Sequence, residues 1–334
     1  MWSLLNQPPG EIVRYLISVV TGTLLAALPA LALSADLVKV DIIKQPYGGA
    51  RNVPEISMNP DYIHASGLER LIEEWGGELV RPVQDVRLDA EQEKQYGAWN
   101  RMALANSNMA KLVREGRSDG VLTIGLESNC NVLLGMLAGL KYDAAGDAQR
   151  VGLVFIDAHG DFNVPETTLS GMLGGMPVAV AAGHALHNIR KTSGLTEPLP
   201  MEHIVWGGVR DLDPLEAERF REYEVQQFSV EDVRSLSETL KTQMDDLAER
   251  VDAIYVHIDM DVLDPDEVPG HDLAVANGPS SENLAAAMTL MFGNPKTIAL
   301  GLASTPAGPL DPGGVSRQAA LNLIEGAIRG VQSR

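Results

Sequence analysis

Residues 153–163 read LVFIDAHGDFN. Four apolar residues, Leu153, Val154, Phe155 and Ile156, run straight into Asp157, His159 and Asp161. A short, unbroken apolar run is the pattern of a strand buried on both faces, as in a parallel sheet. Side chains alternate along an extended chain, so the two carboxylates and the imidazole are expected to share a face. Crowded together without a partner they would repel one another and lose hydration. A cation between them removes both costs.

The composition supports this and narrows the alternatives. A chain of 334 residues, 45% hydrophobic and 21% charged, can bury a large core as one big domain or two ordinary ones. A formal charge of −19 excludes nucleic acid as a partner, because no basic cluster is available to neutralise phosphates. Cys130 is the single cysteine, so no intrachain disulfide can form.

Residues 15–35, YLISVVTGTLLAALPALALSA, follow Glu11 and Arg14 and are broken by Pro29. The stretch has the length of a signal-peptide apolar region, with a small-residue cleavage site ending at Ala32 or Ala35. Residues 1–35 therefore read as a signal peptide or an N-terminal anchor, and residues 36–334 as a single domain. Export to the periplasm or medium is expected if the signal is real, and a cytoplasmic location otherwise.

Across the rest of the chain, apolar runs alternate with amphipathic, helix-length segments. Strands are expected at 38–43, 121–125, 151–157, 203–209, 225–228, 252–259 and 297–303. Helices are expected at 66–76, 91–115, 131–142, 176–187, 214–223, 231–249, 280–292 and 315–332. Such alternation implies right-handed crossovers and an α/β fold whose mainly parallel sheet is covered on both faces. Ligands then bind beyond the carboxyl ends of the strands, where Asp157 stands.

The same pattern recurs at residues 253–265, AIYVHIDMDVLDP. Apolar strand residues lead to Asp259 and Asp261, again two apart, before Asp264 and Pro265 turn the chain. Two parallel strands ending in carboxylates on one edge can converge on metal. Aspartate oxygens with one imidazole form a hard donor set suited to Mn2+. Two such ions would activate a water for attack on a trigonal carbon.

Together, DAHGD (157–161) and HIDMDVLDP (257–265) resemble the ureohydrolase family of arginases, agmatinases and formimidoylglutamases. The segments IVWGGVRDLDPLE (204–216) and LDPGGVS (310–316) extend the resemblance over roughly residues 36–333. It implies a three-layer α/β/α fold, one or two Mn2+ ions, and hydrolysis of a non-peptide C–N bond in a small linear amidine. It also implies a homo-oligomer, either trimer or hexamer. Carried over by position, Asp157 and Asp259 bridge the ions and His159 and Asp261 complete one site. Asp161 serves the other site and orients the attacking water. Asn163 and Ser170 occupy the places of a carboxylate-binding pair in amino-acid-specific members.

Three positions depart from the family pattern. Cys130 stands where the first His ligand is expected, as a ligand or as an inert thiol, and a thiolate suits Mn2+ poorly. Gly174 replaces a proton-shuttling His. Ala303 replaces the Glu that grips a guanidinium, which favours a hydroxyguanidino, formimino or amide-like group over arginine itself. A catalytically silent, metal-binding relative is the alternative. Missing proton transfer is assigned to His257, on the face of Asp259 and Asp261 by alternation, or to His271 in the loop VPGHDLAVANGPS. His184 and His187, three apart on an expected helix, read as surface or packing residues, and Trp99 and Trp206 as core.

Overall fold

The computed structural model describes residues 37–48 and 54–334; the expected leader lies outside them. Among the described residues, nine strands form one sheet. They are β1 (Val38–Gln45), β2 (Gly77–Leu79), β3 (Gln84–Asp85), β4 (Val121–Glu127) and β5 (Val151–Ile156), then β6 (Ile204–Gly207), β7 (Gln226–Phe228), β8 (Ala253–Asp259) and β9 (Thr297–Ala303). Their spatial order is β2-β1-β4-β9-β8-β5-β6-β7, with β3 also paired to β1. Every pairing is parallel.

The helices come in chain order as α1 (Pro54–His64), α2 (Leu68–Glu74), α3 (Ala90–Glu93), α4 (Ala98–Gly116), α5 (Leu133–Leu140) and α6 (Pro177–Ala181). After them come α7 (His187–Thr192), α8 (Pro214–Glu222), α9 (Val230–Ser235), α10 (Glu238–Arg250), α11 (Ser281–Gly293) and α12 (Val315–Gln332). Alternate strand residues divide between two cores. Val154, Ile156, Val256 and Ile258 pack under α10, α11 and α12, whereas Leu153, Phe155 and Tyr255 pack under α4, α5 and α6. Both faces are buried, which is why these strands read as continuous apolar runs. The result is a three-layer α/β/α architecture.

All seven expected strands are present. The short β2 and β3 are additions, since two or three residues carry no period. Three expected helices are broken where the backbone turns left-handed or toward it. Segment 91–115 divides at Gly97 (φ 90), and 231–249 at Leu236 (φ 49), after which the Ser237 side chain caps α10. Segment 176–187 ends at Ala181, and Leu186 (φ 46) precedes α7, so His184 and His187 do not share a helix. Helix α1 is a further addition, having Pro60 inside it. Trp206 is fully buried, but Trp99, at 37% exposure, is not core.

Register places the site. Ile156 pairs with Ile258, so the next residues, Asp157 and Asp259, leave adjacent strands side by side. Asp259 also pairs with Ala303, which pairs in turn with Glu127 just before Cys130. Four central strands thus end at one point on the sheet's carboxyl edge.

Candidate metal centre

Alternation does not continue through the two motifs, because β5 ends at Ile156 and β8 at Asp259. Each motif instead makes the same local turn. Asp157 Oδ1 accepts from the backbone N–H of His159 (2.7 Å), and Asp259 Oδ1 from that of Asp261 (3.1 Å). An aspartate bonding its own backbone two residues on folds the chain back and turns both side chains inward. Asp161 is held in a left-handed conformation (φ 46) while its carbonyl accepts from Val178 and Ala179 at the start of α6. Trp206 Nε1 donates to Gly160 O (2.9 Å), pinning the loop to β6. A side chain at Gly160 would strike Phe220, Glu216 and Leu212, so this close approach requires glycine.

The side chains converge tightly. Cys130 Sγ lies 2.8 Å from Asp259 Oδ2 and 3.9 Å from Asp157 Oδ2. His159 Nδ1 lies 3.1 Å from Asp261 Oδ2 and 3.3 Å from Asp157 Oδ1. Ser304 Oγ donates to Asp259 Oδ2 (2.7 Å), and His271 Nε2 stands 3.6 Å from Asp259 Oδ1. Three sets have ligand atoms mutually within 4.8 Å: Cys130, Asp157 and Asp161; Asp157, His159 and Asp261; Asp259, Asp261 and His271.

Protonation shows how badly the set needs positive charge. Burial, and then the charges of Asp157 and Asp259, push the carboxyls of Asp161 and Asp261 well above the usual range. Burial and the Asp259, Asp161 and Asp157 charges likewise keep the Cys130 thiol protonated. Asp259 goes the other way: burial opposes its charge, but His271, Cys130 and Ser304 outweigh that and lower it. Burial works against charge on His159 too, yet its bonds to Asp157 and Asp261 hold it up to about 12. Such a cluster takes protons where no cation is present and exchanges them for metal where one is. Aspartate and imidazole donors fit a divalent ion such as Mn2+, and the thiol is the one poor match.

The centre forms the floor of a cavity of about 600 Å³. Asn163, Ser170 and Gly174 line it. Asn163 Nδ2 donates to Asp213 (3.2 Å) and its Oδ1 accepts from Thr167 (2.8 Å). His271 lines the cavity as well, whereas His257 does not. His257 is fully buried, stacked on Phe155 at 5.3 Å, with Nδ1 2.8 Å from Tyr255 Oη and 3.3 Å from Glu127 Oε2. Neighbouring strand side chains enclose it, and the chain turns toward the cavity only beyond it, at Asp259. His184 packs its edge on Phe162 and Tyr223.

The Arginase family model matches residues 38–329. The chain belongs to the arginase family. It is 28% identical to the arginase of Bacillus caldovelox over 261 residues, covering 75% of this chain and 85% of that protein. With the arginase of Bacillus subtilis strain 168 it shares 26% identity over 76% of this chain and 85% of that one. Solved structures agree on the fold. The Bacillus caldovelox arginase superposes with a TM-score of 0.71 at 26% identity, covering 88% and 99% of the two chains. The formimidoylglutamase of Bacillus subtilis gives 0.67 at 17% identity, covering 89% and 88%.

Several cavity residues lie outside the two acidic motifs. Asp211 and Asp213 reach the cavity from the loop after β6 and Glu216 from the first turn of α8, and His159 Nε2 lies 3.8 Å from Asp211. Their signal is present in VWGGVRDLDP, a third strand ending in two aspartates two apart. Asp272, Ser304 and Thr305 carry no comparable signal, since they belong to irregular loops.

Proposed function

We propose that this protein is a manganese-dependent hydrolase of a non-peptide C–N bond in a small guanidino-, hydroxyguanidino- or formimino-type compound. The observation that carries this is the convergence of Asp157, His159, Asp161, Asp259 and Asp261 beneath one cavity. Asp157, His159, Asp259 and Asp261 would hold the metal, with Asp161 and Cys130 grouped on the other side of Asp157. Manganese, when bound, supplies Lewis acidity and a deprotonated water at neutral pH.

The chain's own residues do the rest. Asp161 orients the attacking water toward the trigonal carbon. As the C–N bond breaks, the departing amine takes a proton, and His271 is the imidazole on the cavity wall placed to supply it. Its Nε2, 3.6 Å from Asp259 Oδ1, is the ring nitrogen that faces the centre. Asn163 and Ser170 hold a carboxylate of the substrate, and Asp213 beside Asn163 favours an ammonium near it.

Replacing Asp259 with Ala is expected to abolish both manganese uptake and turnover; unchanged metal content by elemental analysis refutes the centre. Assay of urea, ammonia and formamide release over a panel of guanidino and formimino compounds distinguishes the second reading, a catalytically silent metal-binding relative. That reading is favoured by Gly174 and Ala303, and any robust manganese-dependent turnover removes it. Export, cleavage near residue 35 and a trimeric or hexameric state belong to the same proposal. Fractionation, N-terminal mapping and sedimentation test them.

A further inference from the structure

We infer that Thr305 reads the reacting end of the substrate and selects an uncharged polar group there. This rests on the C–N hydrolase reading above.

Three observations converge on the segment that leaves β9, Ala303-Ser304-Thr305-Pro306. Ala303 is buried and apolar, so the strand end brings no charge to the cavity. Ser304 adopts a left-handed backbone (φ 60), uncommon for a residue with a side chain, and spends its hydroxyl proton on Asp259. Thr305 is 2% exposed and lines the cavity, yet its Oγ1 has no hydrogen-bond partner. A buried hydroxyl left unpaired is costly, so native proteins seldom keep one without a water or ligand to meet it.

The charge distribution around the cavity gives the chemical class. Sheet order sets β9 on one side of β8, and β5 followed by β6 on the other. The β6 side contributes Asp211, Asp213 and Glu216 and the loop after β8 adds Asp272, whereas the segment after β9 brings Ser304, Thr305, Pro306 and Leu310 and no charge. A cation is therefore favoured toward the β6 side. Toward Thr305 the fit is a neutral group that can both donate and accept, such as the N–OH of a hydroxyguanidine. A guanidinium offers donors only and finds no carboxylate from this segment.

The test uses the manganese-loaded full chain with three probes: L-arginine, a hydroxyguanidino amino acid and a formimino amino acid. Thr305→Val removes the hydroxyl at nearly constant shape. It is expected to lower kcat/KM by about tenfold or more on the hydroxyguanidino probe, as a site built to bond a polar atom does when that bond is lost. Manganese content should hold, the loss on arginine should be smaller, and Thr305→Ser should restore the loss. Equal kcat/KM for wild type and Thr305→Val on every probe, with equal metal content, overturns the role of Thr305 alone. Arginine as the preferred wild-type substrate also overturns it. A wild type that turns over none of the probes removes this inference together with the functional reading beneath it.

Discussion

The Cys130 thiol donates to Oδ2 of Asp259 across 2.8 Å. The family's expected imidazole at this position is a neutral nitrogen ligand; here a buried thiol keeps its proton because its neighbours are carboxylates. A protonated thiol is a poor ligand.

Cys130→His is accordingly expected to raise manganese affinity on that side of the centre by about tenfold or more, since even outer-shell changes move metal affinity that far. Equilibrium dialysis with elemental analysis reads the change as more ions per chain at a fixed free concentration. No rise would mean that the thiol does not limit occupancy.

Manganese uptake should strengthen with pH. In the metal-free chain burial disfavours charge on His271, but Asp259 and Asp261 hold its pKa up to about 9, from an ordinary 6.5. The raised value means that the charged form stabilises the metal-free fold fully below pH 6.5, and that this contribution fades as pH climbs through about 9. Metal must displace such protons, so binding releases them. Calorimetry in buffers of different ionisation enthalpy measures the release; affinity independent of pH between about 6 and about 9 contradicts the protonated cluster.

Metal removal should also loosen the fold. At free manganese about a hundredfold above Kd, one site binding only the native state contributes about 2.7 kcal/mol. Chelation is expected to lower Tm measurably by scanning calorimetry, and readdition to restore it. The Asp259→Ala protein should show no such response.

His257 lies buried behind the cavity, outside its lining, in a network with Tyr255 and Glu127. Its imidazole stands 3.3 Å from Glu127 Oε2 with both side chains fully buried, and Tyr255 Oη lies 2.8 Å from both Glu127 Oε1 and His257 Nδ1. A side chain at Gly301 would run into Tyr255 Oη and Glu127 Oε1, so the adjoining strand makes room for the network. Leaving one buried polar group of such a network unpaired costs about 1–3 kcal/mol. His257→Ala should lose about that much in urea unfolding, and the double variant with Glu127→Gln should lose less than the sum of the two single losses. A loss below about 1 kcal/mol would show that the pair does not matter to stability.

The strand ends were legible because each carries an apolar run that only a doubly covered sheet can bury, succeeded by acids that cannot be part of that core. Position along the chain was enough to single out Asp157, His159, Asp161, Asp259 and Asp261. The reason they converge was not legible: an Asx turn and a left-handed Asp161 replace the expected alternation. The broken helices were hidden for a similar reason. Apolar periodicity runs on past Leu186 and Leu236, although both backbones are left-handed there.

By itself the amino-acid sequence determined the layered α/β fold, the edge where chemistry occurs and the donor atoms available there. All of these come from local pattern and from which groups can bear burial. Only the tertiary structure decided that His271 meets Asp259, that His257 turns away to Glu127, and that Thr305 is left without a partner. Those outcomes depend on register across β4, β9 and β8 and on loops anchored far away in the chain, and contacts of that range leave no period in a linear sequence.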